Sequence, residues 1–188
     1  MNRIRTAATF ALAATLFAAG AAHAQETWSW NRAMSAGQTL EIKGVNGGIT
    51  LVPGGGGEAR VTAVKTGRRS NPREVAIEVV EHAGGITICA VYPNARGRQP
   101  NECRPGSGGR MQVENNDVNV EFSVRVPAGI NVIAATVNGG IEGENLPAAV
   151  TARTVNGSVT LGSSGVVRAT TVNGSIDVSM ARADWSGE

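Results

Sequence analysis

The pentapeptide Thr-Val-Asn-Gly-Ser occupies residues 154–158 and returns unchanged at 171–175. A near-copy, TVNGG, occupies 136–140, and a more distant version, VNGGI, occupies 45–49. None of these five-residue stretches contains a strong acid or base, so a repeated active site is not indicated. The recurrence instead predicts one structural corner that the chain uses several times.

The spacing of the repeated asparagines separates two architectures. Asn138, Asn156 and Asn173 are 18 and 17 residues apart, a fixed period typical of repeat folds. Asn-Gly between apolar runs also favours type I′ hairpins, so a β-meander is the alternative. Identical residues in successive repeats interact with one another directly only if the repeats stack, as asparagine side chains do in ladders. We therefore predict an all-β β-solenoid whose corners are Asn46, Gly47, Asn138, Gly139, Asn156, Gly157, Asn173 and Gly174.

The rest of the chain also reads as short strands. Residues 118–126 alternate five apolar and four polar residues, which is typical of a half-buried strand. We expect one β domain at 25–188, with an irregular β part at 25–130 and repeat coils at 131–188. The next asparagine would fall near residue 190, so we expect the last coil to be incomplete.

The N-terminus has the pattern of a secretory signal peptide spanning residues 1–24. Arg3 and Arg5 precede an apolar, alanine-rich run at 7–22, and Ala22-His23-Ala24 forms a small-x-small cleavage site. We therefore expect an exported protein that works in the periplasm, outside the cell or on its surface. No second long apolar run occurs, so we expect no membrane span in the mature chain.

Removal of this leader changes the charge of the working protein. The full chain has 17 basic and 15 acidic residues, and the leader removes two arginines and no acid. A neutral mature chain gives no support for nucleic-acid binding. Residues 68–110 keep a basic excess, which predicts either a solvated loop surface or an anion patch for polysaccharide or lipid head groups. Its residues are Arg68, Arg69, Arg73, Arg96 and Arg98.

Cys89 and Cys103 are the two cysteines of the chain. Export implies an oxidising compartment, so we predict a disulfide that closes the loop 89–103. A metal site is not expected, because C-x-x-C is absent and His82 is the single histidine after the leader. The glycine run 54–57 lacks the Gly-Lys-Ser/Thr ending of a phosphate loop, so no cofactor is predicted.

Catalytic signals in the repeats are weak. Glu142 and Asp177 occupy equivalent positions two coils apart, about 9.5 Å from each other, which is the upper range for an inverting glycosidase pair. Ser158 and Ser175 follow Asn-Gly without a histidine nearby or a nucleophile-elbow motif. We therefore predict a protein that is not an enzyme, with a carbohydrate-active β-helix enzyme as an alternative.

The leader, the Val126-Pro127-Ala128-Gly129 turn and the TVNG-[GS]-[IV] coils together resemble the adhesin-like family of exported bacterial β-solenoids of unknown function. They are also similar to autotransporter adhesin heads. The resemblance covers about 38–180 and implies contact with an envelope or cell-surface component, for which polysaccharide is one candidate. It brings no catalytic residues. A structural or assembly protein that self-associates through its C-terminal edge is the other alternative.

Overall fold

A computed structural model describes residues 24–180, and the predicted leader lies outside this range except for Ala24. The described chain consists of short strands and one 3₁₀ turn at Pro72–Glu74. The strands are β1 (Ala24–Ala33), β2 (Thr39–Lys43), β3 (Ile49–Pro53), β4 (Glu58–Gly67), β5 (Ala76–His82), β6 (Gly85–Val91), β7 (Asn119–Val126), β8 (Asn131–Ala135), β9 (Ile141–Leu146), β10 (Ala149–Arg153), β11 (Val159–Ser163), β12 (Val167–Thr170) and β13 (Ile176–Met180).

The strands form two mixed sheets, neither of which closes on itself. Sheet A has the order β1-β4-β7-β3-β9-β11-β13, and sheet B has the order β12-β10-β8-β2-β6-β5. Along β7, buried positions alternate with exposed ones, as the sequence predicted, so one face of the strand points into the core and the other points to solvent. Apolar side chains from both sheets meet in one continuous core, which includes Leu40, Ile49, Phe122 and Val159. The prediction of an all-β fold is confirmed.

Successive repeats lie side by side in parallel and in register. In sheet A, Ile141 pairs with Val159, which pairs with Ile176. In sheet B, the corresponding strands β8, β10 and β12 are also parallel. Each repeat thus adds one strand to each sheet, whereas a meander of hairpins would make antiparallel neighbours. We call these repeats units 2, 3 and 4 (residues 131–146, 149–163 and 167–180).

The distant copy near residue 46 forms a further unit, which we call unit 1 (residues 39–53). Its strands β2 and β3 pair in parallel with β8 and β9 of unit 2. The segment 54–130 is inserted between these two units and supplies β4 to β7, which extend both sheets beyond unit 1. The parts on either side of residue 130 therefore share both sheets.

The sequence analysis missed strand β1. Residues 24–33 pair antiparallel with β4 over their whole length, and Trp28 and Trp30 pack against the core. Their alternation with Ser29 and Asn31 is a period-two signal. It could have been recognised from the sequence alone.

Glycine is required at the corners because the units approach closely there. A Cβ atom at Gly139, Gly157 or Gly174 would lie 2.1 Å from a carbonyl oxygen of the preceding unit. Only Gly47 among the corner glycines has a positive φ, at 119°. The corners of units 2 to 4 are therefore not type I′ turns, which need positive φ at two residues.

We expect Gly157→Ala to destabilise the protein, because its methyl group would collide with the carbonyl of Gly139 at 2.1 Å and push the units apart. Overpacking of this kind costs about 1–3 kcal/mol, measurable as a lower urea midpoint. Gly55→Ala is the matched control, because nothing lies within 4 Å of the added methyl group there. Equal effects of the two changes would contradict this account.

The segment 104–108, which directly follows the disulfide-bonded Cys103, covers part of the outer face of sheet B. Cys89 in β6 and Cys103 are joined, with their Cα atoms 5.7 Å apart. Beneath this segment, Glu41 is only 4% exposed and accepts hydrogen bonds from the Thr87 hydroxyl (2.8 Å) and the Gly106 N–H (2.9 Å). The Lys43 ammonium donates to the carbonyls of Arg104 (2.6 Å), Gly106 and Gly108 (3.1 Å). The segment 104–108 therefore packs on two charged groups.

Reduction of this disulfide should free Cys103, loosen the segment 104–108 that follows it and expose Lys43. Loop-closure entropy gives a destabilisation on the order of 3 kcal/mol. The chain has only two lysines, so acetylation followed by mass spectrometry can compare Lys43 with Lys65, whose ammonium donates to the Val75 carbonyl at 2.7 Å. We expect labelling of Lys43 to rise and that of Lys65 to stay constant. Unchanged labelling of Lys43 would contradict the account in which the disulfide holds the segment 104–108 over it.

Candidate contact surface

The repeated asparagines form a ladder along one edge of the molecule. Each side-chain amide donates to the side-chain oxygen of the preceding unit. The distances are 2.9 Å from Asn138 to Asn46, 2.8 Å from Asn156 to Asn138 and 2.8 Å from Asn173 to Asn156. The backbones at these positions also form parallel bridges. The ladder therefore joins all four units in one hydrogen-bonded row, with every donor pointing the same way.

The threonines before the asparagines are held on the inner side of the same edge. Thr136 and Thr154 are only 5% and 4% exposed. Their hydroxyls, and that of Thr171, donate to the carbonyl oxygens of the preceding units. The pairs are Thr136 with Gly47 (2.9 Å), Thr154 with Gly139 (2.8 Å) and Thr171 with Gly157 (2.8 Å). Threonine, asparagine and glycine in the repeat are thus all explained by contacts between units.

The valine of the repeat points to solvent, which the sequence analysis did not anticipate. Val137 and Val155 are each 38% exposed, and Val172 is 70% exposed. Because the units are in register, these valines follow one another along the edge beside the asparagine ladder. Three exposed apolar side chains in a row are unusual for a solvated corner, whereas single ones need no explanation.

A row of hydroxyls and carboxylates crosses the whole outer face of sheet A. The strand registers place one such side chain at the same level in each of the seven strands. In strand order these are Ser29, Thr62, Ser123, Thr50, Glu142, Thr160 and Asp177. Neighbouring members are about 4.8 Å apart, the spacing of strands in a sheet. We call this row the polar row.

A shallow groove of about 380 Å³ lies between the polar row and the asparagine ladder. Asn138, Glu142, Ser158 and Thr160 are among its lining residues. The Thr50 hydroxyl donates to one oxygen of Glu142 at 2.9 Å, so that carboxylate is held in place. Carboxylates, hydroxyls and amides in one open groove can hydrogen-bond a ligand that is rich in hydroxyl groups.

The two acids considered as a catalytic pair lie on the polar row. Glu142 pairs with Thr160, which pairs with Asp177, so two strand spacings, or about 9.6 Å, separate them. Ser158 and Ser175 contact each other through their hydroxyls at 3.0 Å. His82 lies in sheet B, where its ring contacts Thr87 and the Gly84 N–H. The serines are therefore not arranged with this histidine for nucleophilic catalysis.

The predicted anion patch comes from two separate segments. Arg68 and Arg69 follow β4 and Arg73 is in the 3₁₀ turn, all three with exposed side chains. An open depression of about 810 Å³ is lined by Arg68, Arg69 and Asp117 among others. Arg96 and Arg98 lie in the disulfide loop. Within residues 24–180, neither of these two forms an ion pair with a carboxylate.

The backbone N–H groups in this patch already donate hydrogen bonds to the Asp117 carboxylate. Its carboxylate accepts hydrogen bonds from the N–H groups of Ser70 (2.8 Å) and Arg69 (3.1 Å), and its own N–H donates to the Ser70 hydroxyl at 3.1 Å. The hydrogen bonds from Ser70 and Arg69, and the charge of Arg69, hold the pKa of Asp117 below its usual value. The backbone donors of this loop are therefore taken up by Asp117, and the exposed side chains of Arg68 and Arg69 remain available to a ligand.

The lowered pKa of Asp117 predicts that the hydrogen bonds its carboxylate accepts from Arg69 and Ser70 stabilise the fold in a pH-dependent way. The ionised form is favoured in the folded state, so its stabilisation is present above the ordinary aspartate pKa and is lost as pH falls through the lower, folded value. We expect urea midpoints to drop below about pH 4 and the drop to be smaller in Asp117→Asn. Asp177→Asn, on the polar row, is the control. Identical pH profiles for wild type and Asp117→Asn would contradict this stabilising role of the Asp117 carboxylate.

The described part of the chain shows neither a metal cluster nor a spanning helix. Across residues 24–180, His, Cys, Asp and Glu side chains do not gather in groups of three or more that could hold an ion. Over the same residues, no helix has the length and apolar character needed to cross a membrane.

Burial raises the pKa of Tyr92 to about 12, and its hydroxyl donates to the Val118 carbonyl at 2.8 Å.

Comparisons with known proteins find similarity only at the level of structure. No protein-family model matches the sequence, and no curated protein matches it. A putative cell adhesion protein from Clostridium sporogenes gives a TM-score of 0.44 at 9% identity, over 82% of this chain and 100% of that one. A putative adhesin from Bacteroides fragilis gives 0.29 at 8% identity, over 81% and 97%. Another from Parabacteroides distasonis gives 0.24 at 10% identity, over 81% and 78%. At these values, the similarity carries no argument about ligand or activity.

Proposed function

We propose that this protein is an exported, adhesin-like β-solenoid that binds a hydroxyl-rich component of the envelope or cell surface, such as a polysaccharide, without catalysis. The observation that carries the proposal is the polar row on sheet A. It offers seven hydroxyl or carboxylate side chains at a regular spacing on an open face, which suits an extended polymer better than a small enclosed substrate.

The stacking of units supports the architectural part of this proposal. Parallel strands in both sheets, the asparagine ladder and the glycine contacts are what a solenoid of 17–18-residue coils requires. Export is supported by the signal-peptide pattern of the first 24 residues and by the disulfide, which is typical of oxidising compartments.

Binding should depend on one face of the stack and not on its overall stability. We expect Thr160→Lys to weaken binding of a polysaccharide at least tenfold, because the long side chain would cover the polar row. Thr151→Lys places the same change in the same unit on the outer face of sheet B, and it should bind like wild type. A glycan array, followed by titration of any hit, measures both variants.

Two outcomes would contradict this proposal in different ways. If the two lysine variants lose binding equally, or if neither does, the polar row is not the contact surface. If the hit polysaccharide gains reducing ends and Glu142→Gln abolishes that reaction, the protein is a carbohydrate-active enzyme. Glu142 and Asp177 would then be the residues to assign as a catalytic pair.

A further inference from the structure

Two arginines lie directly opposite each other on the outer face of sheet A, beside the polar row. Arg60 of β4 and Arg125 of β7 are partners in the antiparallel register, which places their Cβ atoms about 5 Å apart. Both residues are exposed, between buried neighbours along each strand. Like charges directly opposite each other destabilise a sheet, so this pairing weakens the fold unless an anion lies between them. We call Arg60 and Arg125 the arginine pair.

The charge of the arginine pair is only partly balanced by the protein. Arg60 forms an ion pair with Glu58 at 3.2 Å, but the two side chains are 58% and 46% exposed. Exposed ion pairs of this kind are weak, so a ligand can replace Glu58. Within residues 24–180, Arg125 has no carboxylate at ion-pair distance. The arginine pair therefore keeps a net positive charge on an open face.

The stem of Arg125 is supported by a glycine. A Cβ atom added at Gly54 would lie 3.0 Å from the Cγ atom of Arg125, so the stem lies against the Gly54 backbone in the space that a side chain would fill. This contact restricts the rotamers of Arg125 while the residue stays exposed. A restricted side chain loses less conformational entropy when it binds a ligand.

Two hydroxyls complete a block of four polar side chains. Thr62 and Ser123 are paired in the same register, two residues from Arg60 and Arg125, and therefore on the same face. The block measures about 7 Å along the strands and about 5 Å across them. Guanidinium groups bind carboxylate or sulfate oxygens with two parallel hydrogen bonds, and hydroxyls donate to or accept from the hydroxyls of a sugar.

The polar row has a different charge on its two halves. Its members on β1, β4, β7 and β3 are uncharged hydroxyls, and the arginine pair lies beside this half. Its members Glu142 and Asp177, on β9 and β13, are acids. Glu121, also on β7, already accepts hydrogen bonds from the Gly48 N–H at 2.8 Å and the Asn119 amide at 2.7 Å. An acidic group of a ligand is therefore attracted to the half formed by β4 and β7.

We propose that the polysaccharide bound by the polar row is acidic, and that Arg60 and Arg125 hold its uronic-acid carboxylates or sulfate esters. This inference rests on the proposed function and specifies the class of its ligand. A lipid surface fits this face less well, because membrane-binding surfaces combine basic groups with exposed apolar anchors. Among the described residues, the large apolar side chains that are exposed lie outside β1, β3, β4 and β7.

Pairs of polymers that differ only in charge test the ligand class. Polygalacturonate is compared with its methyl ester, and dextran sulfate is compared with dextran, by titration calorimetry. We expect wild type to bind at least one acidic polymer about tenfold more tightly than its neutral counterpart, because hydrogen bonds to charged groups are the stronger ones. Preference for polygalacturonate alone would identify a carboxylate site, and preference for dextran sulfate alone a sulfate site. The preference should shrink as salt is raised above about 0.15 M.

Arg125→Gln tests the site itself. This change should weaken binding of the preferred acidic polymer about tenfold and leave binding of its neutral counterpart nearly unchanged. It should not lower the urea midpoint, because it removes a contact between like charges. Arg153→Gln is the matched control, since it removes the same charge from an exposed position of β10 in sheet B. We expect this control to bind both polymers like wild type.

Equal binding of acidic and neutral polymers by wild type, or equal losses in the two arginine variants, would overturn the role of the arginine pair. If Thr160→Lys still weakened binding of the polymers in that case, the proposed function would stand without it. Binding of phosphatidylglycerol vesicles, together with no binding of any of the four polymers, would overturn both in favour of a lipid surface.

Discussion

The close approach of the units at their corners is the constraint on which the rest of this structure depends. A Cβ atom at three of the four corner glycines would fall 2.1 Å from a carbonyl oxygen of the preceding unit, so only glycine fits. That proximity lets the asparagine amides bond from unit to unit at 2.8–2.9 Å and fixes the register of both sheets. Because side chains alternate along a strand, the register in turn decides which face is buried.

The sequence predicted those features that repeat. Identical letters at a fixed period indicated that equivalent residues stack, and the structure places Asn46, Asn138, Asn156 and Asn173 in one row. Alternation and glycine or proline punctuation are local signals, and they predicted strands after residue 37 but were not recognised in β1. The alternation at 118–126 shows this, since β7 begins at Asn119 and ends at Val126.

The arrangement of the inserted segment could not be predicted in the same way. In sheet A, β7 pairs with unit 1, and in sheet B, β6 does. Both pairings join residues far apart in the chain, and such pairings leave no local pattern in the sequence. The polar row has the same origin, because Ser29, Ser123 and Thr160 are brought to one level only by the registers. The contacts of Glu41 and Lys43 with the segment 104–108 could not be predicted either, because acids and bases in a strand are ordinarily solvated.

The insertion between units 1 and 2 also has a consequence for how the chain folds. Units 2, 3 and 4 follow one another directly, so their contacts join residues about 17 or 18 apart and can form by short-range zippering. Unit 1 must instead contact unit 2 across a sequence separation of 92, from Asn46 to Asn138. Contacts of such long sequence separation carry the larger loop-closure cost and slow folding. Sequence separation therefore favours early contacts among units 2, 3 and 4 and makes the contact between unit 1 and unit 2 the more costly one to form.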